Sequence, residues 1–193
     1  MIQLEVKRQK EYSKLQLILR LIFGVFYIMI PHFMALFFVA FISKIVWVYV
    51  TFMLLLTGVY PPKSKQFLVG ILKWVSRLHL TAYNLRDDYP RFGLKTEVSY
   101  LKIETEQCNP NRLLVLIRFL FAGIIIIPHL FIWFFVNICS VVLTFLAFWV
   151  VLFTGKYPEK WFDFNIGTLR WLIRVLCYQL YLNDDYPPFS GRC

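Results

Sequence analysis

Two long apolar runs limit what this chain can fold into more than any other feature of its sequence. Residues 15–58 and 113–155 are almost free of charged side chains, and most charged residues lie before, between or after them. A helix needs about 20 apolar residues to cross the core of a bilayer, and each run is about twice that length. The sequence therefore predicts an integral membrane protein and excludes a soluble enzyme.

The second half of the sequence repeats the first half at a shift of 97 positions. Residues 31–92 align with residues 128–189 without a gap, and about 23 of the 62 aligned positions are identical. The repeat predicts two tandem copies of one module, residues 1–93 and 94–193, with residues 94–111 as linker. Alternating apolar residues at the N-terminus and at residues 98–103 predict short juxtamembrane β-strands.

Four motifs recur in both halves: a Pro-His step, a TG-x-YP sequence, an amphipathic RW-x-x-R segment and a closing LNDDYPPF sequence. The first half departs from this pattern, because Lys73 replaces the first arginine and Arg91 replaces the second proline of the closing motif. The motifs resemble the DUF4389 family of bacterial membrane proteins, most closely in the second half. That family has no assigned activity, so the resemblance implies an architecture and no chemistry.

Each apolar run is compatible with one very long kinked span or with a helical hairpin. Charge placement favours the hairpin, because it puts nearly all basic residues on one side of the membrane and only Lys44 on the other. The predicted hairpins cover residues 15–58 and 112–155, with tips at residues 40–44 and 137–140. The predicted fold class is an all-α membrane protein with four membrane helices, in the bacterial cytoplasmic membrane with both termini cytoplasmic.

The Pro-His steps place an ionisable side chain inside each apolar run. Pro31 and Pro128 are expected to bend the first helix of each hairpin, and His32 and His129 follow them. The favoured interpretation is a neutral imidazole that caps a carbonyl freed by the adjacent proline. A proton relay is the alternative, although neither run contains an Asp or Glu to pass a proton on.

An interfacial amphipathic helix is predicted after each hairpin, at residues 64–85 and 161–182. Like charges four positions apart repel each other, so the paired basic residues of these helices favour an anion between them, and anionic phospholipid is the predicted ligand. The candidate lipid-headgroup residues are Lys73, Trp74, Arg77, Arg170, Trp171 and Arg174. Ordinary anchoring at the membrane surface and pairing with the nearby aspartates are the alternatives.

The closing motif is predicted to dock a partner. Its candidate docking residues in the second half are Asp184, Asp185, Tyr186, Pro187, Pro188 and Phe189. Adjacent aspartates in a turn seldom converge on one metal ion, and the four cysteines lack metal-ligand spacing. We therefore expect no catalytic residue, no metal and no cofactor. A positive membrane surface explains the net charge of +10, so no nucleic-acid partner is expected.

These features favour a non-enzymatic accessory or scaffold subunit that packs against another integral membrane protein or complex. Membrane helices form tight cores through small residues, and these runs contain few of them, so a partner would complete the packing. A homo-oligomer is compatible with the same argument. The alternative function is a lipid-binding or small-transport protein that uses the basic interfacial helices, and a membrane enzyme lacks a convincing catalytic set.

Overall fold

The computed structural model describes residues 3–105 and 110–192, most of which are helical. The elements in chain order are β1 (Gln3–Val6), α1 (Lys14–Gly24), a π-helical turn (Val25–Met29), α2 (Ile30–Thr57), α3 (Pro62–Ala82), β2 (Leu101–Glu104), α4 (Arg112–Thr154) and α5 (Glu159–Gln179). The first three helical elements are continuous and form a helix of 44 residues, and α4 has 43 residues. Both are long and apolar enough to cross a membrane.

The predicted break between two helices at each hairpin tip is wrong, because the helix is continuous there. α2 continues through residues 40–44 and α4 through residues 137–140, neither of which contains glycine or proline. The polar side chains there find partners without breaking the helix. Ser43 Oγ donates to the carbonyl oxygen of Ala40 at 2.7 Å, and Asn137 Oδ1 accepts from the hydroxyl of Tyr83 at 2.7 Å. Two long helices therefore replace the four predicted ones.

Both long helices begin at a capping residue and end at a glycine. The side chain of Ser13 accepts from the backbone N–H of Gln16 at the start of α1, and the side chain of Asn111 accepts from Leu113 at the start of α4. Gly58 and Gly155 end the two helices with φ values of 73° and 70°, a left-handed conformation that glycine adopts readily. The TG-x-YP motif thus ends each helix as its sequence predicts.

The two long helices differ in the number of residues between the capping residue and the proline. Pro31 lies 18 positions after Ser13, whereas Pro128 lies 17 positions after Asn111. The extra residue of the first half is accommodated in the π-helical turn, where the backbone N–H of Ile30 donates to the carbonyl of Val25, five residues earlier. Before the prolines, equivalent positions are therefore 98 residues apart instead of 97.

A short antiparallel sheet connects the N-terminus to the linker. β1 pairs with β2 in a register that places Leu4 opposite Ile103 and Val6 opposite Leu101. Leu4, Leu101 and Ile103 are buried, while Lys102 and Glu104 point outward. This pair confirms the two short strands that the alternating pattern predicts.

The core forms where the two amphipathic helices and the sheet meet the start of α1 and the end of α4. α5 packs along α4, and α3 contacts both α2 and β2. The buried apolar side chains of this core include Leu4, Leu17, Leu72, Leu80, Leu101, Ala147, Val151, Leu169, Ile173 and Leu182. The helices occupy Pro62–Ala82 and Glu159–Gln179, so each begins two residues before its predicted start and ends three before its predicted end.

Gly70 of α3 lies close enough to the backbone of the segment after the closing motif for a substitution to test the contact. A Cβ atom on Gly70 would lie 2.6 Å from the carbonyl oxygen of Leu94, whereas one on Gly167 would lie 3.5 Å from that of Gly191 and one on Gly123 would meet nothing within 4 Å. We expect Gly70→Ala to lower the free energy of unfolding, because an overlap cost of about 1–3 kcal/mol exceeds the gain in helix propensity of about 1 kcal/mol.

Thermal unfolding in detergent, followed by tryptophan fluorescence, measures the effect of Gly70→Ala. Gly167→Ala and Gly123→Ala are matched controls, because both are helical glycines with room for a methyl group. We expect neither control to lower the melting temperature. A Gly70→Ala variant as stable as Gly123→Ala would contradict the close contact between α3 and the segment after the closing motif.

Candidate functional site: two histidine-aromatic clusters

The first cluster joins the Pro-His step to α3 and to the closing motif. His32 is fully buried, and its Nδ1 accepts a hydrogen bond from Trp74 Nε1 at 2.8 Å. The ring of Phe92 stacks on the imidazole with a centroid distance of 3.8 Å and an interplanar angle of 9°. Tyr89 contacts the same imidazole at 5.6 Å. His32 thus joins three segments that are far apart in the sequence: the start of α2, α3 and the closing motif.

The second cluster has the same composition 97 positions later. Trp171 Nε1 donates to Nδ1 of the buried His129 at 3.1 Å. Phe189 stacks on His129 with a centroid distance of 4.2 Å and an angle of 10°, and Tyr186 lies 4.8 Å away. Four residues that are identical between the two halves, a histidine, a tryptophan, a tyrosine and a phenylalanine, therefore contact each other in the same way within each half.

The indole donors fix the protonation pattern of both imidazoles. A nitrogen that accepts from an indole N–H carries no proton, so a neutral imidazole must carry its proton on Nε2. Nε2 of both His32 and His129 is buried and has no hydrogen-bond partner among residues 3–105 and 110–192. The aromatic rings that stack on each imidazole exclude water from it.

The prediction that histidine caps the carbonyl freed by proline is wrong. That contact is made by the tyrosine of the closing motif: the hydroxyl of Tyr89 donates to the carbonyl oxygen of Tyr27, four residues before Pro31, at 3.2 Å. In the second half, the hydroxyl of Tyr186 donates to the carbonyl of Ile125 at 3.4 Å. The tyrosine of the closing motif therefore bonds to the carbonyl freed by Pro31 in the first half, and in the second half to the carbonyl next to the one freed by Pro128.

The arginines of the amphipathic helices bind backbone carbonyls instead of facing outward. The Arg77 guanidinium is fully buried and donates to the carbonyls of Gly93 at 2.6 Å, Thr96 at 2.8 Å and Arg91 at 3.3 Å. Its burial lowers the pKa of Arg77 from its ordinary value. Arg174 donates to the carbonyls of Ser190 at 3.4 Å and Arg192 at 2.8 Å. Both arginines hold the segment that follows the closing motif.

The other candidate lipid-headgroup residues also have protein partners. Lys73 forms an ion pair with Glu97 at 3.0 Å, which lowers the pKa of that carboxyl through the hydrogen bond and the nearby charge. Arg170 donates to the carbonyls of Leu4 at 3.4 Å and Gly191 at 2.8 Å. With the two tryptophans bonded to the histidines, all six predicted headgroup ligands contact the protein itself.

The first aspartate of each closing motif contacts the start of the long helix in its own half. Asp87 Oδ2 accepts from the backbone N–H of Ser13 at 2.6 Å, and Asp184 Oδ2 accepts from that of Asn111 at 2.9 Å. Ser13 and Asn111 are the two capping residues. Asp184 is therefore engaged internally, whereas Asp185 and Pro188 are exposed, Tyr186 and Phe189 are about half exposed and Pro187 is buried.

Two functional arginines lie seven residues after these caps and were not among the predicted site residues. Arg20 donates to the carbonyl of Arg86 and to that of Asp88. Arg118 is 1% exposed, donates to the carbonyls of Asn183 at 2.9 Å and Tyr178 at 3.0 Å, and forms an ion pair with Asp184. Their common distance from the cap, in runs whose only other charged residue is Lys44, is the sequence signal that could have found them.

The chemistry available to this site is limited. Within residues 3–105 and 110–192, no three His, Cys, Asp or Glu side chains lie close enough to hold a metal ion. Cys177 is buried, which raises the pKa of its thiol, and Cys139 is exposed; both are free thiols. Cys108 and Cys193 lie outside the described residues. The two clusters are arranged to join helix, closing motif and linker, and we identify them as the structural joints of each half.

Residues 112–191 match the family described as a domain of unknown function, DUF4389. The match covers the second long helix, the second amphipathic helix and the second closing motif, and it confirms the resemblance for this segment. No curated protein and no solved structure matches the chain.

Proposed function

We propose that the chain consists of two copies of the DUF4389 module and that residues 1–93 are the first copy. The support is the correspondence of contacts: each histidine, tryptophan, tyrosine and phenylalanine of the first cluster has its counterpart 97 positions later in the second. The arginines that follow each cap support it too. Identical residues that make identical contacts are the pattern expected of duplicated modules.

Both termini and the linker are proposed to lie on the cytoplasmic side of a bacterial inner membrane. The strand pair supports this, because β1 and β2 are adjacent and Glu104 lies only seven positions before the cap Asn111. Seven residues reach at most about 25 Å, which is less than the bilayer core of about 30 Å. The backbone N–H of Tyr12 also donates to the carbonyl of Gly155 at 2.9 Å, so the end of α4 lies beside the start of α1. In this proposal, each long helix therefore enters and leaves the membrane on the same side without a break in the helix.

Cysteine accessibility tests this topology. In a variant without the native cysteines, we expect a cysteine at position 44 to react with an impermeant thiol reagent in intact cells, and a cysteine at position 102 to react only after lysis. Lys44 and Lys102 are both exposed, so accessibility reports their compartment. Reaction at position 102 in intact cells would overturn the proposed cytoplasmic placement of the linker.

The proposed function is that of a non-enzymatic accessory or scaffold subunit of a membrane protein complex. The observation that carries it is the contrast between the polar candidate residues and the apolar side chains of the long helices. The polar candidates are engaged in internal contacts, whereas large apolar side chains of the long helices point outward, among them Phe37, Phe41 and Phe145 at 73%, 69% and 62% exposure. Such a surface packs against lipid and against other membrane helices.

Co-purification in mild detergent, followed by mass spectrometry, tests the proposed function. We expect a membrane protein in fixed ratio to the tagged chain. A matched control is a chain in which exposed phenylalanines of the long helices are replaced by leucine, which keeps the surface apolar but removes the rings. Purification of the tagged chain without any stoichiometric protein partner would contradict the scaffold function.

A groove beside α5 favours lipid binding as the second candidate function. Its volume is about 610 Å³, and its lining combines the cations Arg170 and Arg192 with the apolar rings of Trp171 and Phe189. An anionic phospholipid needs this combination of charge and apolar surface. Native mass spectrometry of the purified chain tests it: retention of anionic phospholipid, lost in Arg192→Gln, favours this function over the scaffold.

A further inference from the structure

The first half contains an apolar cavity that the second half fills. The cavity has a volume of about 230 Å³ and lies between the start of the first long helix, the end of α3 and α4. Its lining includes Leu17, Leu21, Val25, Ala82 and Asn84, with Phe148 from α4 and the side chain of Arg20. It therefore opens at the junction of the two halves.

The corresponding place in the second half is occupied by a tryptophan from α2. The ring of Trp47 stacks on Tyr181 with a centroid distance of 6.0 Å and an angle of 9°, and it contacts Phe119 at 5.4 Å. Its Nε1 donates to the carbonyl of Gln179 at 3.0 Å. An aromatic side chain from a neighbouring helix thus closes the second half.

Smaller residues at the matching positions of the first half leave this space open. Leu21, Ala82 and Asn84 stand where the second half has Phe119, Gln179 and Tyr181. Asn84 and Tyr181 share a left-handed backbone, with φ values of 53° and 58°, so the two chains follow the same path and differ in side-chain volume. The position on α4 that matches Trp47 is occupied by a threonine, Thr144.

Two polar groups at the cavity are complementary to an indole: a carbonyl that can accept its N–H and a guanidinium that can lie over its ring face. The carbonyl of Ala82, which matches that of Gln179, accepts no hydrogen bond from the described part of the chain. The matching arginine of the second half, Arg118, lies 4.4 Å from the ring centroid of Tyr178 and 5.7 Å from that of Tyr181. Among the described residues, no aromatic ring lies over Arg20 in this way, because Thr81 and Asn84 take those two positions.

We propose that this cavity receives an aromatic side chain, with tryptophan as the best fit, from a membrane helix of a partner protein. The inference rests on the proposed scaffold function and names its docking site. An indole would stack against Arg20, fill the apolar space and donate its N–H to the Ala82 carbonyl, as Trp47 does to Gln179. A lipid acyl chain would fill the space but would supply neither the ring nor the donor.

Site-specific photocrosslinking in the membrane tests this proposal. With a photoreactive phenylalanine analogue at position 21, we expect a crosslink to an apolar peptide of another protein that contains tryptophan or tyrosine. The matched control carries the analogue at position 119, which Trp47 covers, and we expect no intermolecular crosslink there. A crosslink to lipid alone, or to a second copy of this chain, would overturn the proposal.

A cavity-filling variant provides the second measurement. With the analogue moved to position 25, Leu21→Phe with Asn84→Tyr introduces two of the larger residues found at the matching positions of the second half, and we expect the crosslink yield to fall by roughly tenfold or more, as on losing an aromatic hot spot. Leu21→Phe alone fills less of the cavity, so it is expected to lower the crosslink yield less. Unchanged yields in both variants would overturn the cavity as the docking site while leaving the scaffold function intact, whereas absence of any co-purified partner would refute that function itself.

Discussion

Replacing Arg118 with methionine is expected to lower the melting temperature of the detergent-purified protein more than any other single substitution proposed. Arg118 is 1% exposed and bonds to Asp184 and to the carbonyls of Tyr178 and Asn183. Methionine matches the length of the side chain but leaves Oδ1 of Asp184 and both carbonyls without their arginine donor, while Oδ2 of Asp184 keeps its bond from Asn111. Removing one partner of a buried ion pair costs about 3–5 kcal/mol.

In a chain of this size, that loss corresponds to a fall of roughly 6–20 °C in melting temperature. Circular dichroism during heating measures it, and Arg91→Met is the control because it makes the same chemical change at an exposed position. Arg20→Met is expected to cost less than Arg118→Met, since Arg20 is only partly buried and bonds to carbonyls without an aspartate side chain. Equal melting temperatures for Arg118→Met and Arg91→Met would refute the role of Arg118.

The local elements of this fold could be predicted from the sequence because each is determined by nearby residues. The alternating pattern of Leu4 and Val6 indicated a strand, and Gly58 and Pro61 indicated where a helix ends and the next begins. The amphipathic helices were located to within three residues of their bounds. These signals depend on side-chain periodicity and backbone preference, which a single sequence contains.

The continuity of each long helix is not predicted from the sequence, because a count of basic residues takes every cation as a free surface charge. Arg20, Arg77 and Arg118 are instead bonded to carbonyls within the protein, so their positions report internal packing as well as membrane orientation. At residues 40–44, the sequence also lacks the glycine or proline that would turn a helix. Hydropathy alone does not distinguish a long bent helix from two short ones.

The composition of the two clusters was present in the sequence, but their contacts were not. His32 and Trp74 are 42 positions apart, and neither residue alone indicates the other. The repeat supplies the missing signal, since the histidine, tryptophan and phenylalanine all recur at the same spacing. The equivalence of Arg20 and Arg118 is hard to see in the sequence, because the two halves are offset by one residue before the prolines and few residues there are identical.

Replacing both cluster tryptophans with phenylalanine is expected to lower the free energy of unfolding by about 2–6 kcal/mol. Trp74→Phe and Trp171→Phe each leave a buried histidine Nδ1 without its donor, at a cost of about 1–3 kcal/mol. The clusters share no hydrogen-bond partner, so the two losses should add. Denaturant unfolding in detergent, followed by circular dichroism, gives the three free energies.

A double-mutant cycle separates the hydrogen bond from the packing of the ring. In the second half, His129→Leu leaves the indole N–H of Trp171 unpaired, whereas the double variant His129→Leu with Trp171→Phe removes donor and acceptor together. Because replacing both partners costs less than orphaning one, the double variant should be more stable than the sum of the single losses predicts. The cycle of His32 and Trp74 should give the same coupling energy, since the two clusters have the same bond and the same stacked ring. A coupling energy near zero in both cycles would mean that stacking alone holds the joints, and unequal couplings would mean that the two halves no longer share one architecture.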